Sequence, residues 1–245
     1  MGRVEAIALE GIPEIRPGDD LASIVEAAGG PFSGDDVLVI AHKAVSKAEG
    51  ALVELSSVQP GEEARAIASE QGRDPAHVQV ILDQSSELVR AENGVLVCRT
   101  HHGFVCANAG VDASNSGGEG VVVCLPEDPD ASARRLRSAL SGHPAVVITD
   151  SFGRPWRVGQ SDVAIGVAGL GPLEDWRGKP DTGGRTMEAT WIAVADEVAA
   201  AADLARRKDA AQPAVLVRGL GRYVTRDDGP GAAALLRAAD EDLFP

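Results

Sequence analysis

Apolar residues occur along this chain in short blocks, separated by glycine, proline and acidic residues. A first strand is predicted over residues 4–9, ended by the turn Gly11-Ile12-Pro13. Asp19 and Asp20 stand where N-cap residues stand, ahead of a helical stretch over 21–28. The block Asp35-Asp36-Val37-Leu38-Val39-Ile40-Ala41 predicts a buried strand, with residues 43–50 continuing from its carboxyl end. Helices follow over 62–71 and 75–84, then short strands over 88–91, 95–99, 104–106 and 121–124. Asp128-Pro129-Asp130 opens a helix to about residue 140, and 145–148 reads as a buried strand ending in Thr149-Asp150. The glycine-rich stretch 153–184 predicts loops around a single strand at 163–167. Residues 186–194 alternate like a strand, 195–207 are alanine-rich and helical, 214–217 form a last strand and 231–239 a last helix.

This order of elements is not a regular βαβ alternation, so a doubly wound sheet is disfavoured. The expected class is α+β, with mixed, largely antiparallel sheets and helices. With 245 residues and no internal repeat or low-complexity linker, 1–245 reads as one domain. A pair of interleaved subdomains is a variant of that reading, with residues 85–150 as the inserted one.

Charge narrows the function. The net charge is -14, and such a surface repels nucleic acid. An anionic nucleotide substrate would need metal and a few cationic side chains to reverse the field locally. Cys98, Cys106 and Cys124 form no Cys-x-x-Cys pair and read as packing residues in a reducing compartment. No targeting segment and no stretch near the ~20 apolar residues of a membrane span is visible, so a cytoplasmic protein away from membranes is expected. His101-His102 is a poor zinc geometry and reads as a turn; P-loop, dinucleotide and nucleophile-elbow motifs are absent.

Four places carry candidate chemistry. Asp112, in Val111-Asp112-Ala113-Ser114-Asn115, has small neighbours that let a carboxylate approach a hard cation; an Asx turn fits the same residues equally well. Asp150 ends a buried strand with the Ser151 hydroxyl beside it, in Thr149-Asp150-Ser151-Phe152-Gly153-Arg154. That pairing suits magnesium beside phosphates, with Arg154 and Arg157 as phosphate or carboxylate partners; a turn with surface arginines is the plainer alternative. Lys43 and Lys47 are two of only four lysines, and both follow one strand end, as phosphate contacts or as a solvated helix start. Asp196-Glu197 sits at a helix beginning, where the dipole alone favours acids.

Taken together, these stretches resemble the coenzyme F420-0:L-glutamate ligases. The matching residues are Glu10-Gly11-Ile12-Pro13, Val45-Ser46-Lys47-Ala48-Glu49-Gly50 and Asn108-Ala109-Gly110-Val111-Asp112-Ala113-Ser114-Asn115. Leu125-Pro126 with Asp128-Pro129-Asp130 follows, then Ile148-Thr149-Asp150-Ser151-Phe152-Gly153-Arg154, Val194-Ala195-Asp196-Glu197 and Val217-Arg218-Gly219. They span nearly the whole chain in family order.

The resemblance implies GTP-dependent amide ligation through an acyl phosphate, adding L-glutamate to coenzyme F420-0 and then a second, γ-linked glutamate. It implies two divalent ions, magnesium or manganese, a potassium ion, and GTP as co-substrate. Asp112 and Asp150 match the family's metal-binding aspartates, and Ser151 falls where the second metal gains a hydroxyl. Asn115, the stretch Ile12, Pro13, Glu14 and Ile15, and His42, Lys43 and Lys47 match nucleotide contacts. His42-Lys43 departs from the hydroxyl pair of some relatives, and the nucleotide loop at 208–213 is less glycine-rich than theirs. The resemblance further implies a family-specific two-subdomain fold in an intertwined homodimer, here in the stand-alone form without a nitroreductase-like domain. A metal-dependent phosphohydrolase and a nucleotide-binding protein without ligase activity are the competing readings.

Overall fold

The computed structural model describes residues 2–207 and 209–242. Its centre is a five-stranded sheet in the order β1-β12-β2-β8-β9. The strands are β1 (Glu5–Ala8), β2 (Val37–Ala41), β8 (Ala145–Arg154), β9 (Arg157–Ala168) and β12 (Ala214–Arg218). Only β2 and β8 run parallel; every other pairing in the sheet is antiparallel. The expected class, α+β with largely antiparallel sheets, holds.

Alternation along the strands divides the apolar residues between two cores. Leu38, Ile40, Val146 and Ile148 pack on one face with α1 (Leu21–Gly29), α2 (His42–Glu49) and α5 (Pro129–Ala139). Val37, Val39, Ala145 and Val147 pack on the other face with α6 (Val194–Ala205). The predicted caps form: the Ser23 and Ala131 N–H groups donate to the carboxylates of Asp20 and Asp128. On β9, Gly166 lies so close to the Pro129 carbonyl at the start of α5 that a Cβ there would collide with it.

A third core is built from residues between Ala51 and Cys124. It holds α3 (Glu62–Gln71), α4 (Pro75–Asp83), the hairpin β4–β5 (Ser85–Glu92, Val95–Thr100), β6 (Val105–Ala107) and the pair β3–β7 (Leu52–Glu54, Val121–Val123). This whole unit is threaded between β2 and β8. Of the segment 85–150 singled out on sequence, α5 and β8 lie with the main sheet, whereas 62–84 lie with the third core.

Three local expectations are corrected. Residues 153–162 are not loop: β8 runs on to Arg154 and β9 starts at Arg157, making one long hairpin. Residues 186–194 contribute only the two-residue strand β11 (Trp191–Ile192), paired with β10 (Glu174–Asp175). Residues 231–239 do not form an α-helix but 3-10 turns at Ala232–Leu235 and Ala239–Glu241. Leu235 packs against the α6-side core and Leu236 against the opposite one, a division that one helical face does not make.

Candidate active site

The site lies where β2 ends and β8 continues. Ala41 is the last residue of β2, opposite Thr149, and α2 starts at once with His42. The first N–H groups of α2 carry no side-chain cap, a setting that favours an anion. Beyond Thr149, β8 is paired only with β9, so its other edge is open toward α2.

His42 is 2% exposed, with Nδ1 3.3 Å from the Ser46 hydroxyl and Nε2 3.4 Å from Oδ1 of Asp150. The second contact is oblique, outside the alignment of a good hydrogen bond. Asp150 also accepts the Ser151 N–H at 2.7 Å. Burial by itself raises the Asp150 carboxyl. The polar contact with His42, together with the Ser151 N–H, outweighs it and holds the group below the ordinary carboxylate value.

Asp112 approaches from the third core. Its backbone pairs with Val123, and its side chain accepts the Ser114 N–H at 2.6 Å, so it does form an Asx turn. The same carboxylate takes the Lys43 ammonium at 2.6 Å, and Lys43 also donates to the Ser114 hydroxyl at 2.8 Å and carbonyl at 3.1 Å. Burial raises this carboxyl too, and Lys43 and Ser114 together pull it below its usual value. Asp112 and Asp150 lie within each other's field, and the charge of Asp112 acts to raise Asp150.

The remaining predicted residues surround this pair unequally. Ile12 and Ile15 are core side chains, so the stretch 12–15 offers a ligand its backbone and the exposed Pro13 and Glu14. Buried Lys47 is paired with Glu14. Asn115 stands exposed with φ 52°, a left-handed conformation that asparagine tolerates. Arg154 donates to the Val158 carbonyl at the hairpin tip. Asp196 accepts the Ala164 N–H at 2.9 Å, where a bulge interrupts the β8–β9 ladder; burial holds its carboxyl above the ordinary value. Within the loop 208–213, Lys208 lies outside the described residues.

Ser151 points away from Asp150, as successive strand residues do. Its hydroxyl donates to Oδ1 of Asp162 at 2.6 Å, and the Thr149 hydroxyl donates to Oδ2 of the same carboxylate at 2.9 Å. Asp162 is ion-paired with Arg206, at the end of α6. Neither Asp162 nor Arg206 emerges from the sequence reading. The available signal was a single acid at the start of the apolar run Val163-Ala164-Ile165-Gly166-Val167.

The donor set of Asp112 and Asp150, with hydroxyls nearby, is all oxygen and suits a hard divalent cation. Among the described residues no cluster of three or more His, Cys, Asp or Glu forms a complete cage.

Comparison with known proteins identifies the lineage. Residues 11–219 match the model of the family described as F420-0:Gamma-glutamyl ligase. The chain belongs to that family. Three relatives named coenzyme F420:L-glutamate ligase align along almost their whole length. The protein of Methanothermobacter thermautotrophicus is 44% identical over 250 residues, 98% of each chain. That of Methanopyrus kandleri is 42% identical over 253 residues, the whole of both. That of Natronomonas pharaonis is 43% identical over 247 residues, 98% of this chain and 94% of its own. Asp112, Asp150 and both lysines of α2 lie inside the matched region of the F420-0:Gamma-glutamyl ligase family.

Proposed function

We propose that this chain is a GTP-dependent ligase that joins L-glutamate to coenzyme F420-0 and then adds a further γ-linked glutamate. The observation that carries the reading is the meeting of Asp112 and Asp150, from separate cores, beside Lys43 and His42. Support comes also from full-length relatives named as ligases of this cofactor and this amino acid.

The terminal carboxylate of F420-0 attacks the γ-phosphorus of GTP, the bond to the bridging oxygen breaks, and GDP leaves. The glutamate amine then attacks the acyl carbon of the acyl phosphate. The carbon–oxygen bond to phosphate breaks, phosphate departs, and the amine loses its proton. Such transfers need alignment and charge neutralisation more than a protein nucleophile. Asp112, Asp150 and the Ser151 hydroxyl would hold two divalent ions, which supply Lewis acidity and a template for the phosphates. Lys43, Lys47, Asn115 and the backbone of 12–15 bind and orient GTP, with the α2 N-terminus favouring its negative charge. His42, enclosed behind Asp150, holds that carboxylate in place.

The reading extends to a potassium ion, a two-subdomain intertwined homodimer and a cytoplasmic location. Among the described residues no helix is long and apolar enough to cross a membrane. Sedimentation returning the mass of one chain would remove the dimer. Mass spectrometry of a mixture of F420-0, GTP and glutamate tests the activity. Products heavier by one and two glutamate residues, with matching GDP, are expected. GDP formed without glutamate would mark a phosphohydrolase, and GTP binding without turnover a nucleotide-binding protein.

A further inference from the structure

The residues that hold Asp150 leave Ser151 unexplained, because its side chain stands on the opposite face of β8. The register places Ser151 directly across from Asp162 on β9, so the two side chains share that face. Asp162 is 4% exposed. It receives one hydroxyl on each oxygen, Ser151 on Oδ1 and Thr149 on Oδ2, and its charge is matched by Arg206. Arg206 in turn donates to the Thr149 hydroxyl at 3.2 Å and reaches the Pro213 carbonyl at 3.5 Å, where the loop after α6 ends.

The chemistry of this arrangement is specific. A serine hydroxyl has one hydrogen and two lone pairs. Ser151 gives its hydrogen to a buried carboxylate, so toward any further group it acts as an acceptor. An acceptor suits a cation. It does not suit a phosphate oxygen, which needs a donor.

We propose that Asp162 is a positioning residue of the ligase. It locks the Ser151 hydroxyl as an acceptor at the open end of β8, and through Arg206 it ties that hydroxyl to the loop after α6. This rests on the reading proposed above, that the Ser151 hydroxyl is a ligand of a divalent ion bound with GTP.

The test uses the full chain and measures manganese affinity by electron paramagnetic resonance in the presence of GTP, alongside steady-state turnover. Wild-type protein comes first: absence of GTP-dependent manganese binding there sinks the ligase reading itself. Asp162→Asn and Ser151→Ala are then each expected to weaken manganese binding about 10-fold or more, as loss of outer partners of metal ligands does. Because Asp162 acts through Ser151, the double variant is expected to bind no worse than Ser151→Ala alone. A merely structural Asp162 would instead give losses that multiply, and that result overturns the proposal. So does Ser151→Ala with wild-type affinity, a variant that leaves the ion pair whole. Should Asp162→Asn fail to fold with Arg206 unpaired, Asp162→Asn combined with Arg206→Met takes its place. Wild-type manganese affinity in that protein overturns the proposal equally.

Discussion

Asp112 forms the Asx turn, the plainer of its two readings. As an Asx turn it organises the loop that carries Asn115, and the carboxylate so fixed faces Lys43 and the field of Asp150. Exchanging Asp150 for Asn removes the charge and keeps the shape. Ligase turnover is expected to vanish while the circular dichroism spectrum stays that of the wild type; near-normal turnover would end its assignment to metal. The depressed carboxyl of Asp150 also sets a pH dependence. A group lower in the folded than in the unfolded state stabilises above the unfolded value, about 3.9 for aspartate. That stability is lost as pH falls through the folded value. In urea titrations, the advantage of wild type over Asp150→Asn should shrink as pH drops below about 4. Asp112, Asp150 and the lysines were legible in the sequence because each follows an apolar run and has small residues beside it. Asp162 and Arg206 were not, because their meaning lies in partners brought together by strand register and by the end of a distant helix.

Elements with one clear period were read well, and those lacking it were not. The caps at Asp20 and Asp128 and the apolar blocks of β2 and β8 announced themselves. The outer half of the β8–β9 hairpin did not, because it exposes both faces: Trp156 is 85% and Val158 95% exposed. With no buried face there is no alternation to detect. The alanine-rich run near 231–239 misled in the other direction. Its helix propensity yielded to Gly231, with φ 78°, and to the Ala232 N–H held by Asp130. The bulge in the β8–β9 ladder offers a measurable element-level effect. Asp196→Ala would leave the Ala164 N–H at that bulge without its acceptor, at a cost of about 1–3 kcal/mol. Chemical denaturation should report that loss, and an unchanged midpoint would show that water takes over the bond.

At the scale of the whole molecule, the fold gathers half of its few lysines in one place. A chain with net charge -14 places two of its four lysines in α2, at the carboxyl end of β2, each ion-paired beside the candidate site. The class of the fold was legible from the irregular order of elements. The one parallel pair among the described residues, β2 with β8, was not, since the connection between them contains an entire third core. No local pattern encodes so distant a partner.

The strand order β1-β12-β2 has a consequence for how the chain is made. The last strand to leave the ribosome is the one that fills the gap between the two earliest. Until Ala214–Arg218 emerges, β1 lacks its neighbour in the sheet and β2 keeps one open side, so the nascent protein carries exposed edges for most of its synthesis. Such a design makes early release hazardous. A chain stopped before Ala214 is expected to be insoluble on expression, and recovery of a soluble, monomeric product would show that the edges are covered in some other way.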